Sequence, residues 1–143
     1  MEQYLKNRLW IFINYTALIC LLIVFYTGKF TGWPVTLIVL EAATVLIFLY
    51  SFLRGFLHTG YWKLVHTSHH RLDEREVQVV LEAVRYAYGT FTIIAVVLIY
   101  AFALAQFHPI DVVLAGGLLY LAHTLPAAIA GCSEKIIIEE PEA

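Results

Sequence analysis

Long apolar stretches alternate with short polar connections along this chain. Stretches at 9–27, 34–53, 90–107 and 110–130 each have about 18 or more residues with almost no charge. Runs of this length are typical of transmembrane helices, because about 20 helical residues cross the hydrocarbon core of a bilayer. The pattern predicts an all-α protein: a four-transmembrane-helix bundle made of two helical hairpins, with a cytoplasmic connection at 54–89.

A second periodicity lies in that connection and leads into the third span. Asp73, followed three residues later by Glu76, is typical of a capping box at a helix N-terminus. The spacing predicts an amphipathic helix that runs from Glu74 into the third span. The apolar positions of this helix are Val77, Val80, Leu81, Val84, Tyr88 and Phe91.

This third helix is predicted to be longer than a membrane is thick. From Glu74 to Phe107 it would measure about 51 Å at about 1.5 Å per residue, and the hydrocarbon core takes only about 30 Å. About 20 Å should therefore project into the cytoplasm or bend along the surface at Gly89. The end of the second span is expected to continue as a helix and pack against this projection. If it lies in the interface instead, the apolar stripe needs another partner, most simply a second copy of the protein.

Composition and charge support a membrane protein and set its orientation. Hydrophobic residues make up 61% of the 143 residues and charged residues 14%, which is far from the balance of soluble domains. Eight of the nine Lys and Arg residues fall on one side of the spans and only Lys29 on the other, so both termini are predicted to be cytoplasmic. The net charge of −2 gives no indication of nucleic-acid binding. The chain is predicted to be one membrane domain, 1–132, followed by an acidic tail, 133–143.

The middle connection also carries a histidine cluster. His66, His69, His70 and Asp73 offer imidazole and carboxylate donors of the kind that bind zinc or iron. The spacing His-x-x-His-His resembles one histidine box of the membrane fatty-acid desaturases and hydroxylases. Those enzymes need three such boxes and this chain has one, so a complete di-iron site within one chain is excluded. The alternative is a solvated, positively charged turn near the lipid headgroups.

Polar groups inside the predicted spans are costly and often functional, and four of them are candidates here. Counting the rise along each helix predicts one layer with Glu41 and Tyr100 and a deeper layer with His123 and Asn14. These groups either join helices by hydrogen bonds or form steps of a proton or cation path. A haem ligand role for His123 would need a second histidine at similar depth, and none is predicted there.

The segment Arg71-Leu72-Asp73-Glu74-Arg75 precedes the amphipathic helix. In this the chain resembles a loose group of small, mostly uncharacterised bacterial and archaeal membrane proteins with four spans and an Asp-Glu-Arg motif in the middle loop. The resemblance implies a location in the cytoplasmic (inner) membrane and brings no activity with it.

No complete catalytic set is present in the sequence, so a non-enzymatic function is favoured. The leading hypothesis is a membrane protein that acts by association, as a homo-oligomer or as an accessory subunit of a membrane complex. One alternative is metal binding or metal-dependent activity through the cluster at His66 to His70. The other is proton or cation transport through Glu41 and His123.

Overall fold

The computed structural model describes residues 2–68, 71–104 and 111–133. In these ranges the secondary structure is helical and contains no strand. The helices are α1 (Glu2–Thr31), α2 (Val35–Phe52), α3 (Tyr61–His66), α4 (Glu74–Leu104) and α5 (Val112–Ser133), and a π-helical turn, Leu53–Leu57, extends α2. The prediction of an all-α chain with four long apolar helices is confirmed.

Four helical segments are long and apolar enough to cross a membrane. Their bounds are Leu5–Thr31, Val35–Leu57, Glu74–Leu104 and Val112–Cys132. Each contains or largely overlaps one of the apolar stretches in the sequence. The helices extend beyond those stretches mainly at polar ends, because a helix continues until a cap or a turn ends it.

The chain divides into two compact units, Met1–Thr59 and Gly60–Ala143. In the first unit α1 packs along α2, and two of its glycines lie in close contacts. A Cβ atom on Gly28 would lie 2.8 Å from the Trp33 ring, and one on Gly55 would lie 3.3 Å from the backbone of Trp10 and Ile11. The Gly28 contact lies at the connection between the two helices, whereas the Gly55 contact joins the π-helical turn after α2 to the N-terminal part of α1. The two helices therefore run antiparallel, and the close approach between them is at Gly55.

In the second unit α3 and α4 both pack against α5. A buried cluster of Val79 and Ala83 from α4 with Ala130 from α5 forms its centre, and Val65 of α3 packs against that cluster. The second span was expected to continue into a helical extension that packs with α4. The structure corrects the continuity of this extension, because a turn at 58–60 interrupts the helix and Gly60 adopts φ +79°. That left-handed conformation suits glycine and redirects the chain before α3 begins. The part after the turn is helical as α3, and its Val65 packs against the cluster that includes Val79 and Ala83 of α4.

The N-terminus of α4 confirms the predicted capping box. The Glu76 N–H donates to Asp73 Oδ1 at 2.7 Å, and the Asp73 N–H donates to Glu76 Oε2 at 3.1 Å. The helix then runs for 31 residues, about 46 Å, and passes through Gly89 without a break.

The packed face of α4 differs from the predicted stripe. Val80 is buried as expected, but its buried companions are Val79, Ala83 and Ala87. Leu81, Val84 and Tyr88 are 56%, 43% and 74% exposed. Small side chains allow two helices to approach closely, so the face with the alanines packs against α5 and the larger side chains stay outside.

Candidate functional site

Two histidines that the sequence assigned to different regions are neighbours in the structure. His66 ends α3 and His123 lies in α5, and their rings are nearly parallel, with centroids 6.4 Å apart and an interplanar angle of 19°. His66 was predicted in the cytoplasmic turn and His123 within the bilayer. The expectation that no second histidine comes near His123 is therefore wrong, because the turn before α3 brings His66 back against α5.

The Trp62 ring also packs on the His66 ring. The two rings stack with centroids 4.2 Å apart and an interplanar angle of 24°. The Nδ1 atom of His66 also lies 2.8 Å from the backbone oxygen of Trp62. A carbonyl oxygen only accepts hydrogen bonds, so Nδ1 carries the hydrogen, and in the tautomer that this contact favours the lone pair lies on Nε2. We call His66 and His123 the histidine pair, and Trp62 its supporting tryptophan.

The other members of the predicted metal cluster lie elsewhere or outside the described residues. His69 and His70 are among the residues that the structure does not describe. Asp73 uses Oδ1 to accept the Glu76 N–H at the start of α4, which is a structural role. Over the described ranges no group of three or more His, Cys, Asp or Glu side chains is placed to hold a metal ion. The predicted four-residue metal site stays a prediction.

Asn14 forms the most completely buried polar contact of the first unit. Its side chain is fully buried, and Nδ2 donates to the Phe48 carbonyl at 3.1 Å and to Ser51 Oγ at 3.0 Å. The Ser51 hydroxyl, which is also fully buried, donates to the same Phe48 carbonyl at 3.0 Å. This network joins α1 to α2, as expected for an interhelical hydrogen-bond role. The part of Ser51 was not predicted, although its small polar side chain in an apolar run was a signal.

Glu41 is the one acidic residue in the α2 span. It precedes Thr44 by three residues and Phe48 by seven, so it lies on the α2 face that meets α1. Its side chain is half-buried, and Oε2 is enclosed without a hydrogen-bond partner among the described residues. Because Glu41 and Asn14 belong to one unit and Tyr100 and His123 to the other, the predicted layers stay predictions.

An aromatic and basic cluster at the end of α2 was also missed. The rings of Trp10 and Tyr50 meet edge to face at 5.5 Å. The Arg54 guanidinium lies 5.8 Å from the Tyr50 ring centroid, and its Nε donates to the Tyr50 hydroxyl at 3.3 Å. The four-residue spacing of Tyr50 and Arg54 on one helix face was the available signal. Such a cluster suits the headgroup level of a membrane.

Comparison with known proteins finds no family model, no characterised protein and no solved structure that matches this chain. The class that the fold defines is an all-helical protein with four helices of membrane-spanning length.

Proposed function

We propose that the chain is an integral protein of a bacterial or archaeal cytoplasmic membrane that acts by association with another membrane-embedded chain. Its four long helices form two transmembrane hairpins with both termini in the cytoplasm. The observation that carries the proposal is the exposed apolar face of α4 formed by Leu81, Val84 and Tyr88, which we call the α4 stripe.

The length of α4 supports a position outside the lipid for most of this stripe. The helix is about 46 Å long and the hydrocarbon core about 30 Å thick, so about 16 Å, or some eleven residues, project beyond it. All the charged residues of α4 lie in its first twelve positions: Glu74, Arg75, Glu76, Glu82 and Arg85. The projecting part is therefore the N-terminal part, where lipid tails do not cover Leu81 and Val84. Apolar surface in that position is stabilised when another protein covers it.

A second copy of the chain is the occupant that we favour. Glu82 and Arg85 are exposed near the stripe and carry opposite charges, so the surface is complementary to itself. In a two-fold dimer each partner presents the same patch, and a residue of one sign meets its opposite on the partner. An accessory role in a larger complex would use the same stripe against a different chain.

The test compares two substitutions that introduce glutamine on different faces of α4. Leu81→Gln replaces a residue of the α4 stripe with a good helix former. Tyr86→Gln introduces the same residue outside the stripe, because Tyr86 lies about 200° around the helix from Val84. Tyr86 is 64% exposed, so both changes remove exposed apolar area. The mass of each detergent-solubilised protein is measured by light scattering. We expect the wild type and Tyr86→Gln to be oligomeric and Leu81→Gln to shift toward monomer. A monomeric wild type, or identical oligomers for all three, contradicts the proposal.

Glu41 supports transport as a second candidate function. An enclosed carboxyl oxygen without a hydrogen-bond partner among the described residues is costly in an apolar span, and such groups often mark ion pathways. Proton or cation flux into liposomes that contain the wild type is compared with flux for Glu41→Gln, which keeps the shape and removes the charge. Loss of flux in the variant supports transport, and equal flux in the two proteins contradicts it.

A further inference from the structure

The packing of α3 and α5 fixes the backbone at both histidines of the pair. Val65, the neighbour of His66, packs against the buried cluster that α4 and α5 share. Thr124, the neighbour of His123, is only 1% exposed. Each histidine therefore projects from a segment that its neighbour anchors in the core of the unit. The two rings are brought together by the fold and need no bound partner to meet.

The surroundings of His66 are those of a metal ligand. Histidines that bind metals almost always donate the N–H of their other nitrogen to a carboxylate, a backbone carbonyl or water, which fixes the ring and its tautomer. The Nδ1 of His66 makes this bond to the Trp62 carbonyl at 2.8 Å. Stacking on the Trp62 indole, at 4.2 Å, restrains the ring further. The lone pair on Nε2 is left for another partner.

We propose that His66 and His123 together bind a divalent transition-metal ion of the zinc type. With metal–nitrogen bonds of about 2.0–2.1 Å, two imidazoles on one ion have ring centroids roughly 5 to 6.5 Å apart, depending on the angle between the bonds. The tetrahedral angle that zinc prefers gives about 5.2 Å, and opposite positions on the ion give about 6.4 Å. The separation of 6.4 Å in the structure is therefore about 1 Å wider than a tetrahedral site needs, and rotation of the two exposed side chains closes this difference when the ion binds. Imidazole nitrogen is a preferred ligand of zinc, copper and nickel, and the pair contains no carboxylate that would favour calcium or magnesium.

Both imidazole side chains are exposed on the surface of their unit. The two histidines supply two of the four positions around a tetrahedral ion, and a group from another molecule that reaches this surface can supply the others. The proposal does not depend on the α4 stripe, because neither histidine lies on α4. It also differs from the metal site predicted from sequence, since it includes His123 and leaves Asp73 in its capping role.

The test measures Zn²⁺ binding to the full chain in mild detergent, by competition with a chromogenic chelator. We expect about one Zn²⁺ per chain in the wild type. His66→Ala and His123→Ala should each weaken binding at least about 100-fold, since even changes behind a ligand cost roughly 10- to 100-fold. His123→Gln should behave like His123→Ala while keeping a polar side chain of similar size.

Two controls separate this site from other histidines. His58→Ala removes an exposed imidazole from the other unit and should leave the affinity unchanged. A double variant with His69→Ala and His70→Ala tests the cluster predicted from sequence, and it should also leave the affinity unchanged. Helix content by circular dichroism shows whether each variant is folded.

A spectroscopic readout counts the ligands independently of affinity. Electron paramagnetic resonance of the Cu²⁺-loaded wild type should show coupling to two imidazole nitrogens, and His123→Ala should show one. The proposal is overturned if the wild type binds no Zn²⁺ at about 100 µM, a concentration between the millimolar and micromolar affinities of weak binding. It is also overturned if His123→Ala keeps wild-type affinity or if the His69/His70 double variant alone abolishes binding.

Discussion

The polar groups of the two units are arranged in opposite ways. In the first unit Asn14 and Ser51 are fully buried and hydrogen-bond to each other and to a backbone carbonyl. In the second unit His66 and His123 lie side by side on an exposed surface, and the hydrogen bond from Nδ1 of His66 leaves its Nε2 for another partner. A buried network whose polar groups are paired contributes to stability. An exposed pair with a free lone pair is suited to binding.

The largest expected effect lies in the buried network. Asn14→Ala removes two interhelical hydrogen bonds, leaves Ser51 with one partner fewer and opens a cavity. We expect the free energy of unfolding to fall by about 1–3 kcal/mol, measured by denaturant titration in detergent micelles. His123→Ala without metal should change it by less than about 0.5 kcal/mol, because exposed side chains contribute little. Equal losses for the two variants would remove the contrast between the units.

Two glycine-to-alanine substitutions, one in each unit, test the close packing of the first unit. A Cβ on Gly55 would lie 3.3 Å from the α1 backbone, which cannot move aside as a side chain does. Gly55→Ala should therefore destabilise the protein by about 1–2 kcal/mol through overpacking. Gly89→Ala is the matched control, since nothing lies within 4 Å of its added Cβ, and it should be neutral or stabilising by up to about 1 kcal/mol. Thermal unfolding followed by circular dichroism distinguishes these signs.

Substitutions of Asp73 distinguish a structural role of this residue, as the cap of α4, from a role as a metal ligand. Asp73→Ala should lower the free energy of unfolding by about 1 kcal/mol, because the N–H of Glu76 loses its acceptor. Asp73→Asn keeps a capping oxygen and should recover most of that stability. Zn²⁺ affinity should be unchanged in both variants. A large loss of Zn²⁺ binding with Asp73→Asn would favour the site predicted from sequence.

The smallest effect is expected at Trp62. Trp62→Ala removes the ring that stacks on His66 but keeps the backbone carbonyl that accepts from Nδ1. Zn²⁺ affinity should fall by about 2- to 13-fold, which corresponds to roughly 0.5–1.5 kcal/mol for an aromatic contact. Trp62→Phe keeps a stacking face and should lose less. A loss as large as that of His66→Ala would mean that the indole, and not the carbonyl, positions the ring.

Local sequence signals predicted the helices but not their contacts. Long apolar runs indicated the four helices, and Asp73 with Glu76 gave the start of α4, because caps and hydrophobic length act within a few turns of helix. The meeting of His66 with His123 depends on the left-handed turn at Gly60 and on α3 packing against α5. Counting the rise along straight helices placed the two histidines in separate regions, since it takes no account of a chain that turns back.

The packed face of α4 is a second feature that local sequence signals did not predict correctly. Periodicity at Leu81 and Val84 predicted a packed face, and Val80 is indeed buried. The helix pair instead uses Ala83 and Ala87, because small side chains bring the backbones closer. Periodicity finds apolar positions, but it does not say which of two adjacent apolar faces meets the neighbouring helix.

Native mass spectrometry of the full chain, released from mild detergent with Zn²⁺ present, tests the account most directly because it reports oligomeric mass and bound metal together. The account predicts an oligomer with about one Zn²⁺ per chain. An oligomer without metal would contradict the histidine-pair site alone, and a metal-loaded monomer would contradict association alone. A metal-free monomer would contradict both.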